Sequence, residues 1–82
     1  MDTERRFDVR RTVLDPGVER PFDEDEWRDA LVLVRSGEIE LRGVSGARSA
    51  FGRGDLLYLQ GVPLRALHNP GSEPAVLVAV SR

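Results

Sequence analysis

Short apolar segments separated by turn residues run along almost the whole chain. They are rich in Val and Leu, and turn signals such as Asp15-Pro16-Gly17 interrupt them roughly every six to twelve residues. About seven strands are predicted from this pattern: Phe7–Leu14, Ala30–Val34, Glu38–Arg42, Ala47–Phe51, Leu56–Leu59, Leu64–His68 and Ala75–Val80. Short strands at this spacing are typical of an all-β sandwich or barrel.

Two of these strands, Ala30–Val34 and Ala75–Val80, are apolar at every position. A half-exposed antiparallel strand alternates between apolar and polar residues, so both faces of these strands need cover. One barrel covers only the inner faces. We expect a second copy of the chain to cover the outer ones, with Phe7–Leu14 as the alternative cover. The period of two gives one assignment of faces, with Val32, Val34, Val76, Val78 and Val80 inside, and Leu31, Leu33, Leu77 and Ala79 outside.

The segment Phe22–Arg28 is the candidate for a helical turn. Asp23 as N-cap and Glu26 three residues later match a capping box. A structured acidic loop is the alternative, because no apolar stripe continues from this segment.

Composition excludes several classes of chemistry. The length of 82 residues suits one domain, and we assign 1–82 to a single β-barrel domain with 1–12 as an N-terminal strand or arm. The absence of Cys excludes thiol nucleophiles, disulfides and Cys-ligated zinc. All 12 basic residues are Arg, so no lysine is present to form a Schiff base. The single His excludes a site that needs two imidazoles from one chain.

Charge and hydropathy narrow the expected partners and location. The net charge of −2 argues against nucleic acid or an anionic membrane as a partner. No stretch approaches the roughly 18 apolar residues of a membrane span. Residues 1–11 are charged throughout and lack the apolar region of a secretory signal. A cytoplasmic location is therefore expected.

From Gly54 onwards the chain closely resembles the second sequence motif of the cupin superfamily. That motif is a Gly, five residues, a Pro, one residue, a Gly, two residues, a His, three residues and an Asn. Gln60 stands at the Pro position, and Leu64 stands where the His belongs. One residue is missing after Gln60 and one is extra before Asn69.

The first cupin motif can be threaded from Gly17. Its two His positions fall on Asp23 and Asp25, and its Glu position falls on Ala30. The resemblance, over roughly residues 13–80, implies a small antiparallel β-barrel of jelly-roll type, often dimeric, with a pocket at one mouth. In the family this pocket usually holds a divalent metal on three His and one carboxylic residue. Here those positions read Asp23, Asp25, Ala30 and Leu64, so the resemblance implies the fold without the metal chemistry.

Several residues are candidates for a site. Asp23 and Asp25 could bind a hard cation through carboxylate oxygens, but a solvated acidic loop is the expected interpretation. His68 points into the barrel beside Leu64 if the strand is unbroken, and a bulge would turn it outward. Ala30 and Leu64 are apolar residues at two metal-ligand positions of the family. The barrel interior is then either packed shut or open as a pocket for a small organic ligand. We expect a packed interior because the barrel is short. The candidate pocket residues are Trp27, Ala30, Val32, Leu64, Ala66 and His68.

The sequence thus predicts a homodimeric cupin-fold protein without metal or other cofactor. Its expected role is that of a non-catalytic module that binds a small molecule or serves as an accessory domain. The alternative is a metal-independent isomerase or epimerase that uses His68 and Tyr58 for proton transfer. A metal-dependent enzyme with Asp23 and Asp25 as ligands is expected least.

Overall fold

Short strands make up almost all of the structure, a computed structural model that describes residues 7–81. In chain order the strands are β1 (Asp8–Leu14), β2 (Glu19–Pro21), β3 (Leu31–Ser36), β4 (Glu38–Gly43), β5 (Arg48–Gly52), β6 (Leu56–Tyr58), β7 (Leu64–His68) and β8 (Ala75–Ser81). A 3-10 turn, Glu24–Trp27, lies between β2 and β3. The all-β class predicted from the sequence is confirmed. Over the described residues, no helix is long and apolar enough to cross a membrane.

The strands form two four-stranded sheets. Sheet 1 has the order β1-β8-β3-β6 and sheet 2 the order β2-β7-β4-β5. All the pairings are antiparallel. The sheets remain two separate layers over residues 7–81, so the arrangement is the double-sheet form of a jelly roll and not a fully closed barrel.

The hydrophobic core lies between the two sheets. The large buried side chains from sheet 1 are Leu14, Val32, Val34, Leu57 and Leu77, and those from sheet 2 are Ile39, Leu41 and Leu67. Trp27 and Leu59 join this core from outside the strands. We call the end of the molecule formed by the 3-10 turn, the loop before β7 and the β4–β5 hairpin the mouth.

The local sequence signals located most of the elements. Strand β7 has the predicted bounds because Gly61-Val62-Pro63 precedes it and Asn69-Pro70-Gly71 follows it. The 3-10 turn lies inside the segment Phe22–Arg28, and Asp23 is its N-cap. Strand β2 was not predicted. It has three residues, ends at a proline and is a strand only because it pairs with β7.

Strands β3 and β8, which contain the apolar runs 31–34 and 75–80, are the two central strands of sheet 1. The predicted facing is right for β3 and wrong for β8. Ala79 lies opposite Val32 and Leu77 opposite Val34, and residues that lie opposite each other share a face. Leu77 and Ala79 are accordingly buried in the core. The sequence of a strand without apolar and polar alternation does not show which side chains point inward. For β8, the register with β3 determines which side chains face the core. Turned outward instead are Val76, Val78 and Val80.

Strand β1 is an edge strand and does not cover the outer face of sheet 1. It pairs with β8 in the plane of the sheet along its whole length, from Asp8 opposite Ser81 to Leu14 opposite Ala75. The alternative in which Phe7–Leu14 covers the apolar strands is therefore wrong. Of the predicted arm 1–12, residues 1–6 lie outside the described part of the chain.

Candidate functional site

The 3-10 turn closes the mouth on one side. Asp23 Oδ1 accepts a hydrogen bond from Asp25 N at 3.0 Å, which starts the turn, and Trp27 at its end is fully buried. The guanidinium of Arg10 lies 5.1 Å from the centroid of the Trp27 ring, in cation–π contact. Asp29 N donates to Gln60 Oε1 at 2.7 Å, which ties the turn to the loop before β7. The turn therefore plugs this part of the core.

Three of the predicted pocket residues are packed in the core. Trp27, Ala30 and Val32 are each at most 2% exposed and belong to the same buried cluster. Since they pack against one another and against the sheets, they hold the mouth together and do not line either of the pockets described below.

A fourth predicted residue, Leu64, does line a pocket. This pocket has a volume of about 150 Å³ and lies at the mouth, between the β4–β5 hairpin and the loop before β7. Its larger apolar side chains are Leu41, Val62, Pro63 and Leu64, and its hydroxyl groups belong to Ser45 and Ser49. None of the residues that line it has a titratable side chain. The backbone holds its walls in place, because Val44 N donates to Pro63 O at 3.0 Å.

A β-bulge determines which residues of β7 face the core. Arg42 on β4 pairs with Ala66, but Gly43, the next residue, pairs with Leu64. Arg65 is therefore the extra residue of the bulge. Leu64 packs against the core cluster, whereas Ala66 and His68 lie on the outer face of sheet 2 with Arg42 and Glu40. This is the second of the two orientations considered for His68.

On that outer face, His68 belongs to a polar cluster. Its Nδ1 lies 3.3 Å from Glu40 Oε1 and 3.2 Å from Arg42 Nη2. Arg42 Nε donates to Glu40 Oε1 at 2.8 Å, and Arg42 Nη1 donates to Glu19 Oε1 at 2.9 Å. These residues come from three adjacent strands, so the cluster cross-links β2, β7 and β4.

The electrostatics of this cluster follow from its donors. The hydrogen bond from Arg42, together with the smaller contribution of His68, lowers the pKa of Glu40 below its ordinary value. Arg42 offers only N–H donors, and the Glu40 carboxylate offers only acceptors. His68 Nδ1 therefore donates to Glu40 when it carries a hydrogen and accepts from Arg42 when it does not. The cluster is an ion-pair network on an open sheet face, with no cavity beside it among the described pockets.

Tyr58 lies far from this cluster in the architecture. It is on the edge strand β6 of sheet 1, faces outward and is 53% exposed. Its hydroxyl donates to Gln60 Oε1 at 3.3 Å. Because Tyr58 and His68 occupy the outer faces of opposite sheets, they cannot act on one substrate within a single chain.

The four positions at which the cupin motifs place metal ligands do not form a metal site here. Asp23 caps the 3-10 turn, and Asp25 forms an ion pair with Arg28. Ala30 and Leu64 have no side-chain donor atom. Residues 7–81 contain no group of three or more His, Asp or Glu side chains placed to hold a metal ion. These residues therefore do not fit the divalent metal that the pocket of the cupin family usually holds.

A second pocket, of about 270 Å³, lies at the end opposite the mouth. It is lined by Glu38 at the β3–β4 turn and by Gly71, Ser72 and Glu73 of the loop before β8. Sequence reasoning identified neither this pocket nor the hairpin wall of the mouth pocket. The local signals in the segments that line the mouth pocket are the Gly61-Val62-Pro63 turn and the hairpin-sized connection from Gly43 to Gly46.

Eight strands in two facing antiparallel sheets, with the orders β1-β8-β3-β6 and β2-β7-β4-β5, form a jelly-roll β-domain. The family model described as the cupin domain matches residues 10–81 of this sequence. The chain therefore belongs to the cupin superfamily, as its motifs predicted. No functionally curated protein matches it.

Solved structures support the same fold. A Cupin 2 conserved barrel domain protein from Salinispora arenicola is 27% identical, with a TM-score of 0.64 over 90% of this chain and 60% of that one. A sugar phosphate isomerase of the cupin superfamily from Silicibacter pomeroyi is 26% identical, with a TM-score of 0.63 over 93% of this chain and 50% of that one. The cupin domain of an XRE-family transcriptional regulator from Enterobacter cloacae is 23% identical, with a TM-score of 0.63 over 90% of this chain and 78% of that one. The chain thus spans 60% of the first protein and half of the second.

Proposed function

We propose that this protein is a non-catalytic cupin module that binds a small, mainly apolar molecule in the pocket at its mouth. The observation that carries the proposal is the replacement at the second motif. Leu64 stands where the cupin pattern has a His, and it lines a pocket whose walls contain no titratable group. A site of this kind has no group for proton transfer, but it can bind an apolar surface.

The size and chemistry of the pocket indicate the class of ligand. At about 150 Å³ the pocket is below the range of roughly 300–1,000 Å³ that drug-sized ligands occupy. A single ring or a short branched chain matches this space. The hydroxyl groups of Ser45 and Ser49 favour a ligand that also carries one hydroxyl or carbonyl group.

Titration of the isotope-labelled protein with phenol, cyclohexanol and benzyl alcohol tests the proposal by amide NMR. We expect saturable shifts centred on Gly43, Ser45 and Val62 for at least one of these probes. Ala47 also lines the pocket and is exposed, so Ala47→Phe should fill the space and abolish the shifts without disturbing the core.

The matched control is Ala50→Phe. Ala50 is exposed on β5 opposite Glu40, and so lies on the outer face of sheet 2, away from the pocket. This variant should bind the probe as the wild type does. Shifts that persist in Ala47→Phe, or no saturable shift with any probe, would contradict binding at the mouth. Turnover of sugar phosphates, sugar nucleotides or keto acids by the purified protein would contradict the non-catalytic role.

A further inference from the structure

The 3-10 turn and its flanks, residues 23–29, lie outside both sheets, and we call them the turn segment. Phe22 N donates to Arg65 O at 2.9 Å just before this segment, and β3 begins shortly after it. In the described part of the chain, the backbone–backbone hydrogen bonds of the segment itself reach no farther than Ala30. A segment outside the strand ladders can open at a lower free energy than the sheets.

The loop before β7 fastens one side of the turn segment. Asp29 N donates to Gln60 Oε1 at 2.7 Å, and Gly61 N donates to Glu24 Oε2 at 3.2 Å. The next residues along the chain, 62–64, line the mouth pocket. The closed turn segment therefore steadies a wall of that pocket.

Two arginines fasten the other side, one from an edge strand of each sheet. Arg10 of β1 donates to Glu26 O and lies over the Trp27 ring, and Arg20 of β2 forms an ion pair with Glu26. Arg10 is exposed, and the side chain of Arg20 is 40% exposed. Water can replace partly exposed contacts of this kind, so they allow the segment to open.

Two features of the closed position are unfavourable. Trp27 is fully buried, and among the described residues its Nε1 is the one buried side-chain nitrogen or oxygen atom without a hydrogen-bond partner. An unpaired buried donor destabilises the closed position relative to an open one in which the donor reaches water. Asp29 has a φ of +57°, the only positive value at a non-glycine residue of the described chain. Sparsely populated backbone conformations cluster at switch regions and active sites.

We propose that the turn segment is a lid that opens as one unit around Asp23 and Asp29 while the two sheets stay folded, and that only its closed position binds a ligand in the mouth pocket. The second half of this inference rests on the proposed function. Opening releases Gln60 and Gly61, so the pocket wall that follows them loses its attachment to the turn segment. A ligand that needs this wall shifts the population towards the closed position.

Hydrogen exchange of the Trp27 indole Nε1–H, followed by NMR, tests the lid, since the chain contains a single Trp. In the wild type we expect this hydrogen to be protected at least about tenfold less than the amide of Leu77, which is buried in a central strand. Gln60→Ala removes the acceptor of Asp29 N and should speed indole exchange about fivefold. The matched control is Tyr58→Phe, which removes only the bond from the tyrosine hydroxyl to Gln60 and should leave indole exchange unchanged.

Gly17→Ala distinguishes opening of the lid from unfolding of the whole chain. Gly17 lies between β1 and β2, and an alanine at its φ of +81° should destabilise the sheets whether the lid is open or closed. We expect the Leu77 amide to exchange about fivefold faster in this variant and the Trp27 indole to exchange as in the wild type. Indole protection that equals that of Leu77, and falls with it in Gly17→Ala, would overturn the proposal.

The coupling to the pocket is tested with phenol, cyclohexanol or benzyl alcohol, whichever shifts the amides of the mouth pocket. At ten times its Kd, this probe should slow indole exchange about tenfold if it binds only the closed position. A probe that shifts the pocket amides but leaves indole exchange unchanged would overturn the coupling. Absence of binding by all three contradicts the proposed function instead, and indole exchange in the ligand-free protein still decides whether the lid opens.

Discussion

Asn69 and Leu14, which are 55 residues apart in the sequence, are joined by a hydrogen bond from Asn69 Nδ2 to Leu14 O at 2.9 Å. Asn69 follows β7 of sheet 2, and Leu14 ends β1 of sheet 1, so this bond connects the two sheets. The same Nδ2 donates to Glu73 O at 2.7 Å, and Oδ1 accepts from Gly71 N at 2.8 Å. Asn69 is fully buried, and its side-chain amide is satisfied at both atoms. The Asn that closes the second cupin motif therefore has a structural role here.

Replacing this amide by a carboxylate tests that role. Asn69→Asp places an oxygen where Nδ2 donates to two carbonyl groups, so the bonds become repulsive contacts with a buried charge. We expect a loss of about 3 kcal/mol or more in the free energy of unfolding at neutral pH, measured in urea. Part of the loss should be recovered in acid, where the protonated carboxyl can donate again. A change of less than about 0.5 kcal/mol, as at a surface site, would show that the bond does not stabilise the fold.

Gly37, in the turn between β3 and β4, should not tolerate a side chain. Its φ of +80° is unfavourable for other residues, and a Cβ atom there would lie 2.5 Å from Pro74 O and 2.7 Å from Ala75 Cα. Gly37→Ala is therefore expected to lower the free energy of unfolding by about 3 kcal/mol or more.

Gly17→Ala is the matched control for Gly37→Ala. Gly17 has nearly the same φ, +81°, but a Cβ atom at this position would have no other atom within 4 Å. Gly17→Ala should lower the free energy of unfolding by only about 1 kcal/mol, which is the cost of the left-handed backbone conformation for a residue with a Cβ atom. Equal losses in the two variants, measured by thermal or urea unfolding, would mean that the contact with Pro74 contributes nothing.

Glu40 should make the free energy of unfolding decrease as the pH is lowered in the acid range. Its pKa is lower in the folded chain than in the unfolded one because Arg42 donates to it. Its contribution is therefore complete above the unfolded pKa of about 4.3 and is lost as the pH falls through the lower, folded value. A carbon NMR titration of the Glu40 carboxyl group should give a value below the ordinary one, and Arg42→Gln should raise it. An unchanged value in Arg42→Gln would show that the guanidinium is not the cause.

We expect the purified protein to contain no tightly bound transition metal. Ala30 and Leu64 offer no donor atoms, and the remaining carboxylates, Asp23 and Asp25, are engaged in the 3-10 turn and with Arg28. Carboxylates alone also favour hard ions over Fe, Ni or Zn. Elemental analysis after purification without chelator or nickel resin checks this. One equivalent of such a metal per chain would revive the metal-dependent alternative.

The site was predictable only where it coincides with a local signal. Leu64 was placed at the pocket because the motif positions it directly after the Gly61-Val62-Pro63 turn, and it does line the pocket at the mouth. Trp27, Ala30 and Val32 were expected beside it but are buried in the core. Whether an apolar residue lies in the core or in a pocket wall depends on how segments far apart in the sequence pack. The residues next to it in the sequence do not reveal this.

The sequence by itself determined most of the turns and seven of the eight strands, because turn residues and apolar runs act over a few neighbouring positions. Its motifs also indicated the cupin fold. Tertiary structure alone decided which way β7 and β8 face. One extra residue at Arg65 separates Leu64, which faces the core, from His68, which faces outward, and the register with β3 turns Leu77 inward. A shift of one residue exchanges the two faces of a strand, and this shift depends on pairing between segments far apart in the chain. For the same reason only the assembled sheets show that His68 and Tyr58 lie on opposite sides of the molecule.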